Sequence, residues 1–404
     1  MKILHLGNVA NDANNIVRGL RGIGVDAHLF IQRPCHVTRC PQWEEANIDA
    51  AKLHDLDDPD WKVLNEHWTP PPYMHVHKLK RPRLFGRPIP LSRTIGRIIT
   101  RPPDLGEYDL LVAHAPFAEC APGYRKRYGR PYLVYDSGWI RYLYNPYYER
   151  HYRRTARARF GYENAARILF TNVDTYDMFL DHGYLKERLV FSPFAIDMSL
   201  YKPKPSRIEP NGHHPIFFSP ARQDWPEKGN QLLLYAFQRY LKRRPHAILY
   251  LADWGQPPGM FDDNDYLAMS KKLVQQLAIE ESVRWLPLLP KRELVEYYNL
   301  ADIVFDQYVF GAAGTTCMEA MSCGRPVVSF INESLWTRWH RSAPPVANAA
   351  TMQTIYAQMI ELEDDGCRWE LGEKGQAWVK ENSELTVVAR RHLETYKEVL
   401  DGSS

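Results

Sequence analysis

Short apolar runs alternate along this chain with stretches in which apolar residues fall three or four apart. Residues 2–6, KILHL, read as a short buried strand, and Gly7-Asn8 breaks it. Ile16, Val17, Leu20 and Ile23 then recur at helical spacing until Gly22 and Gly24 stop the helix, and DAHLFI (26–31) is a second strand. This β-loop-α-β unit predicts a parallel sheet with helices on its faces. Residues 108–114, 131–138, 166–172 and 187–197 look like further strands. From residue 216 the rhythm resumes: strand IFFSPAR, helix 230–244, strand 246–255, helix 266–279, strand 283–289, helix 291–301 and strand 302–307. No G-x-G-x-x-G follows the first strand, so the usual dinucleotide fingerprint is missing.

Two stretches interrupt the rhythm. Residues 34–105 are rich in proline and poor in periodic runs, and read as an insertion on the first domain. Residues 201–215, YKPKPSRIEPNGHHP, read as an interdomain linker. The expected organisation is a first domain over 1–203, a second over 204–382, and a last helix within 383–404 that crosses back to the first domain. At 404 residues the chain exceeds one ordinary hydrophobic core, which agrees with two domains. The fold class expected is α/β, with two doubly wound Rossmann-like domains facing a central cleft at the carboxyl ends of their strands.

Composition adds limits. The chain is 45% hydrophobic and 25% charged, with 30 prolines, which fits a loop-rich enzyme rather than a fibrous or disordered chain. Net charge is only +3, but residues 1–200 carry 28 lysines and arginines against 22 acids, so the excess sits in the first half. Six cysteines make no disulfide framework, and Cys35 and Cys40 lack a zinc spacing, so reduced thiols and a cytoplasmic location are expected. The amino terminus is too short and strand-like for a signal peptide, and no run approaches the ~20 apolar residues of a spanning helix.

The chemistry concentrates in VFGAAGTTCMEAMSCGRPVVSF, residues 309–330. A strand ends at Asp306, and Gly311 and Gly314 make a loop whose backbone can approach a ligand closely. Thr315 and Thr316 start a helix whose free N–H groups suit a phosphate. Glu319, one turn in, can accept from sugar hydroxyls, although Thr316 and Glu319 also have the spacing of a capping box. Arg222 and Lys228, in SPARQDWPEKG, follow the first strand of the second domain. Arginine suits bidentate phosphate contact and lysine adds a point charge, so their convergence with the helix at Thr315 predicts a diphosphate site.

These elements in this order resemble the donor domain of family-4-like, retaining GT-B glycosyltransferases, the group 1 glycosyl transferases. The resemblance rests on R-x5-KG, LPLLPKRELVEYYNLADIVFDQ and G-x-x-G-x-x-x-x-EAMSCGRPVV. It covers the second domain and, more loosely, the opening strand, glycine loop (Gly7, Asn8) and helix of the first. It implies that Arg222 and Lys228 neutralise the donor diphosphate, that amides near Gly314, Thr315 and Thr316 hold its distal phosphate, that Glu319 binds ribose, and that Leu289 offers backbone groups to the base. Two departures stand out. The family's first glutamate is replaced by Gly311, with Asp306-Gln307 upstream. The family's histidine after the strand YLVYDSG is replaced by Asp136, which leaves His114 as a further candidate for the cleft.

The resemblance implies a hexosyltransferase acting on a UDP- or GDP-type sugar with retention of configuration, in glycan, polysaccharide or glycolipid synthesis. Asp136, Arg222 and Lys228 are the expected catalytic groups, and front-face displacement, with the leaving phosphate taking the acceptor proton, is the mechanism it implies. No cofactor and no metal are expected, because cations and a helix N-terminus already face the leaving group and DDND (262–265) reads as a solvated turn. Partners expected are the nucleotide-sugar donor, a carbohydrate or lipid-linked acceptor, and an anionic membrane surface, on whose inner face the protein would sit peripherally. The membrane expectation rests on residues 78–101, eight cations without an acid among apolar residues, and on five arginines in RHYRRTARAR (150–159). Nucleic acid is not expected, since no binding module accompanies the charge. A sugar-nucleotide epimerase, or a non-catalytic sugar-nucleotide-binding protein on the same fold, is the alternative.

Overall fold

The computed structural model describes residues 1–78, 83–84, 87–88, 104–146, 149, 155–209, 212, 214–255 and 262–402. In the first domain β1 (Lys2–Leu6) is followed by helix α1 (Asp12–Gly22) and β2 (Asp26–Arg33). Strands β3 (Met74–Lys78), β4 (Leu110–His114), β5 (Tyr132–Asp136), β6 (Arg167–Phe170) and β7 (Leu189–Phe191) complete it. Among the described residues these form a seven-stranded sheet in the order β3-β2-β1-β4-β5-β6-β7, parallel throughout. Strands β4 and β5 are buried along their whole length, as expected of a sheet covered on both faces.

The second domain repeats the plan. Strands β8 (Ile216–Ser219), β9 (Ile248–Ala252), β10 (Val283–Leu286), β11 (Ile303–Phe305), β12 (Val327–Ser329) and β13 (Ala347–Asn348) order as β10-β9-β8-β11-β12-β13, again parallel. In each sheet the order reverses beside the first strand. That switch point opens a crevice at the carboxyl ends, after β1 in one domain and after β8 and β11 in the other.

Residues 34–105 are more than an insertion. They supply β3, an edge strand in register with β2, in which His75 lies 2.9 Å from His28. Prolines just before it and histidines at alternate positions disguise the strand. The same region supplies the short helix α2 (Gln42–Glu45). Of the basic segment 78–101, Lys78 ends β3 and a ribbon pairs Arg83–Leu84 with Arg87–Pro88; the remainder lies outside the described residues, as do 150–154. Of the stretch 201–215, residues 204–207 lie along the second domain, with Lys204 Nζ 2.6 Å from Glu296 and the Arg207 amide donating to the same carboxylate at 3.0 Å.

The chain ends in two long helices, Asp365–Asn382 and Leu385–Asp401. The last packs on α1 of the first domain, so closely that a Cβ on Gly19 would lie 2.4 Å from the Leu385 carbonyl oxygen. Its His392 and Tyr396 are buried beneath the first sheet. His392 Nε2 lies 2.6 Å from Ser192 Oγ, and the Tyr396 hydroxyl lies 2.8 Å from His392 Nδ1 and 3.3 Å from His5 Nε2. His5 Nδ1 lies 3.0 Å from His114 Nε2, which completes a buried polar chain. Among the described residues no helix is long and apolar enough to cross a membrane.

Candidate active site

A cavity of about 240 Å³ opens where the two switch points face each other. The second domain lines it with residues after β8, β9 and β10 and with the start of a helix over Thr315–Ser322. The first domain contributes the loop after β1 and side chains from the α2 region.

Arg222, Lys228, Thr315 and Thr316 meet on one wall. Asp224 starts a four-residue helix, Trp225–Lys228, by accepting from the Glu227 amide at 3.1 Å, and Lys228 closes it before Gly229 turns with φ 68°. Arg222 Nε donates to Asp224 Oδ2 at 3.1 Å, and its Nη2 pairs with Glu227. Lys228 Nζ lies 3.8 Å from Oδ1 of Asp306, which is wholly buried below it. Burial raises the Asp306 pKa, opposed by the Lys228 charge and the Gly314 amide. The wall therefore carries two cations held by carboxylates beneath a helix N-terminus, an arrangement suited to an incoming diphosphate.

Glu319 lies beside this wall, 4% exposed. Lys291 Nζ donates to its Oε1 at 2.6 Å and the Tyr298 hydroxyl to its Oε2 at 2.8 Å. The helix is capped at Gly314 without a side-chain bond, so the capping box of Thr316 and Glu319 does not form. Leu289 lines the cavity with Leu286, Pro287 and Leu288, next to Trp254. DDND is a solvated turn whose Asp265 caps the next helix through the Ala268 amide at 2.9 Å.

Several expected residues stand elsewhere. Asp136 is not a cleft residue: it is 0% exposed, and its oxygens accept from the Gly138 amide at 2.6 Å, the Ile140 amide at 3.0 Å and the Tyr162 hydroxyl at 2.5 Å. It holds the turn after β5. His114 is not a cleft residue either. It is buried against His5 and Tyr135, on the side of the sheet that the last helix covers, and burial lowers its pKa to about 3. Gly7 (φ 87°) packs on Phe117 and does not line the cavity. Asn8 shapes the same loop by donating to Asn11 Oδ1 and the Arg39 carbonyl, each at 2.9 Å, and accepting from the Asn14 amide at 3.1 Å.

Gly311 is turned away from the cavity and toward residues 332–336. Its carbonyl accepts from the Asn332 amide at 2.9 Å and Trp336 Nε1 at 3.2 Å. With φ 67° and only 2.7 Å from a built Cβ to Asn332 Cβ, the position admits no larger side chain, so a glutamate cannot replace this glycine without rearranging the loop. Asp306 and Gly314 lie under the cavity wall rather than on it, with Gly314 as the cap of the helix.

Sequence reasoning missed the first-domain wall. It consists of Ala10 and Asn11, both left-handed with φ 48° and 65°, and of Thr38, Trp43 and Glu44. It also missed contacts across the cleft. The Tyr142 hydroxyl bonds Glu227, the Arg141 guanidinium lies 4.2 Å from the Phe310 ring centroid, and Arg292 Nε donates to the Glu45 carbonyl at 2.7 Å. Arg222 is thus tied through Glu227 to the first domain.

Residues 204–334 match the family model described as Glycosyl transferases group 1. A D-inositol 3-phosphate glycosyltransferase of Pseudarthrobacter chlorophenolicus is 25% identical over 175 residues, 41% of this chain and 40% of that protein. The match thus spans about two-fifths of that relative's length. Among solved structures, the Anabaena protein Alr3699/HepE in complex with UDP and glucose superposes with a TM-score of 0.67 at 15% identity, covering 98% of this chain and 99% of that one. A UDP-N-acetylglucosamine 2-epimerase from Listeria monocytogenes, so described with reservation, gives 0.57 at 13% identity, covering 100% and 97%. At such identities these structures establish the two-domain fold, which transferases and epimerases share.

Proposed function

We propose that this chain, which belongs through its second domain to the group 1 glycosyl transferases, moves a sugar from a nucleoside diphosphate sugar to an acceptor hydroxyl. The observation that carries the reading is the meeting of Arg222, Lys228, the helix start at Thr315 and Lys291 around one cavity at the carboxyl ends of two parallel sheets, with Glu319 paired to Lys291 just behind its wall. Arg222, Lys228 and the helix amides stabilise the charge that develops on the leaving diphosphate, and their preorganisation lowers the barrier. Glu319 takes ribose hydroxyls, and the apolar segment 286–289 faces the base. Transfer with retention fits a site in which the leaving phosphate itself receives the acceptor proton; Asp136 is not available for that role, because its oxygens are occupied. Such a charge distribution needs no metal for leaving-group departure.

The donor is of UDP or GDP type, and the acceptor is a carbohydrate or lipid-linked hydroxyl presented by the more basic first domain. The test is release of free nucleoside diphosphate from a panel of sugar nucleotides, with and without candidate acceptors. Acceptor-dependent release supports transfer. Absence of release with every donor, while sugar nucleotides still bind, favours the second reading, a non-catalytic binder, which the glycine at 311 in place of the family's first glutamate keeps in view. Interconversion of the sugar without acceptor identifies an epimerase.

A further inference from the structure

A carboxylate from the first domain stands on the cavity wall and is not accounted for by the group 1 motif. Glu44 lies in α2, is 3% exposed, and lines the cavity together with Lys291. Next to it, the Glu45 carbonyl accepts from Arg292 Nε at 2.7 Å, so α2 is docked on the start of the helix Lys291–Leu300 that carries Glu319's lysine partner. We propose that Glu44 is the first-domain contact of the nucleoside ribose, accepting from one ribose hydroxyl while Glu319 accepts from the opposite wall. This rests on the nucleotide reading above and adds a residue to it.

Glu44 has unfilled acceptor capacity. A carboxylate offers about four lone-pair sites, and a buried one is costly unless they are filled. Glu44 receives two neutral amide donors, Asn11 Nδ2 on Oε2 and Asn15 Nδ2 on Oε1, the latter at 3.3 Å. Burial accordingly raises its pKa to about 7, opposed by the Lys291 charge. Glu319 already has an ammonium and a phenol on its two oxygens. A ribose brings two adjacent hydroxyls, more donors than Glu319 readily takes. Glu44 lies on the facing wall with capacity to spare, and because it belongs to the other domain, its bond to the ribose would draw the cleft walls together. A purely structural role, holding Asn11 in its left-handed turn, makes a different prediction: its loss would weaken every nucleotide alike.

The test is calorimetric titration of the full chain with UDP and GDP and with their 2′-deoxy and 3′-deoxy analogues. The wild type should prefer a ribonucleotide over at least one deoxy analogue by about tenfold. Glu44→Gln should lose about fivefold or more of its affinity for the ribonucleotide and little for that analogue, so the preference shrinks. Equal losses for ribose and both deoxyribose forms, or no loss at all, overturn the proposal while leaving the nucleotide site standing. Should Glu44→Gln fail to fold, Glu44→Asp, which keeps the charge but withdraws it, is read by the same comparison. Failure of both UDP and GDP to bind the wild type would overturn this proposal together with the reading it rests on.

Discussion

Removing the Lys228 ammonium exposes the electrostatic design of the site. In Lys228→Ala the wholly buried Asp306 loses a cation 3.8 Å away. At an effective dielectric of about 20 that pair is worth about 4 kcal/mol of Coulomb energy, most of it returned by solvation of a lysine that is one-fifth exposed. A net loss of about 1–2 kcal/mol in stability is expected. The effect on ligand is larger. A charge-assisted contact to phosphate contributes about 1.5–3 kcal/mol, and the uncompensated Asp306 now repels the same phosphate, so UDP or GDP affinity should fall about 30-fold or more. Asp306→Asn in the Lys228→Ala background removes the repulsion and should recover about three- to tenfold, a coupling that single variants cannot reveal. Calorimetry on the wild type, both single variants and the double variant measures it. Unchanged affinity in Lys228→Ala, or no recovery in the double variant, would refute the assignment of this lysine and the aspartate beneath it.

Three further outcomes follow from other parts of the molecule. Glu319→Gln keeps an acceptor for Tyr298 but loses the Lys291 ion pair, so nucleotide affinity should drop about tenfold with at most about 1 kcal/mol of stability lost; a fall in melting temperature with unchanged affinity would make Glu319 a structural residue. Burial holds His5, His114 and His392 neutral, the latter two with pKa values of about 3. Above about pH 6.5 neither folded nor unfolded state protonates them; below it the unfolded chain binds protons that the folded chain refuses, so stability should fall by about 2 kcal/mol per histidine by pH 5. Urea midpoints that coincide at pH 7 and pH 5 would contradict this. Transfer should survive EDTA, and full loss restored by Mg²⁺ or Mn²⁺ would show that the cationic wall does not suffice.

The architecture was legible because buried parallel strands are written as short apolar runs, and glycines mark the turns between them. Strand β3 was not, because histidines alternate along it and prolines precede it, so its pairing with β2 is decided by neighbours far away in sequence. The second-domain wall was legible for a similar local reason: Arg222, Lys228 and Thr315 each follow a strand end, and the sheet brings strand ends together. The same rule misled at His114 and Asp136. Both end strands, yet one faces the last helix and the other closes its own turn, and neither orientation is written in the strand itself. Glu44 and Trp43 were out of reach because their place on the cavity depends on how a proline-rich segment folds back across the cleft.

The decisive measurement is a crystal structure of the protein soaked in UDP and in GDP. Difference density is expected in the cavity between the domains, with the diphosphate against Arg222, Lys228 and the amides at Thr315 and Thr316, and the ribose at Glu319. Density for a bound nucleotide elsewhere, or with its phosphates away from Arg222 and Lys228, would contradict this placement.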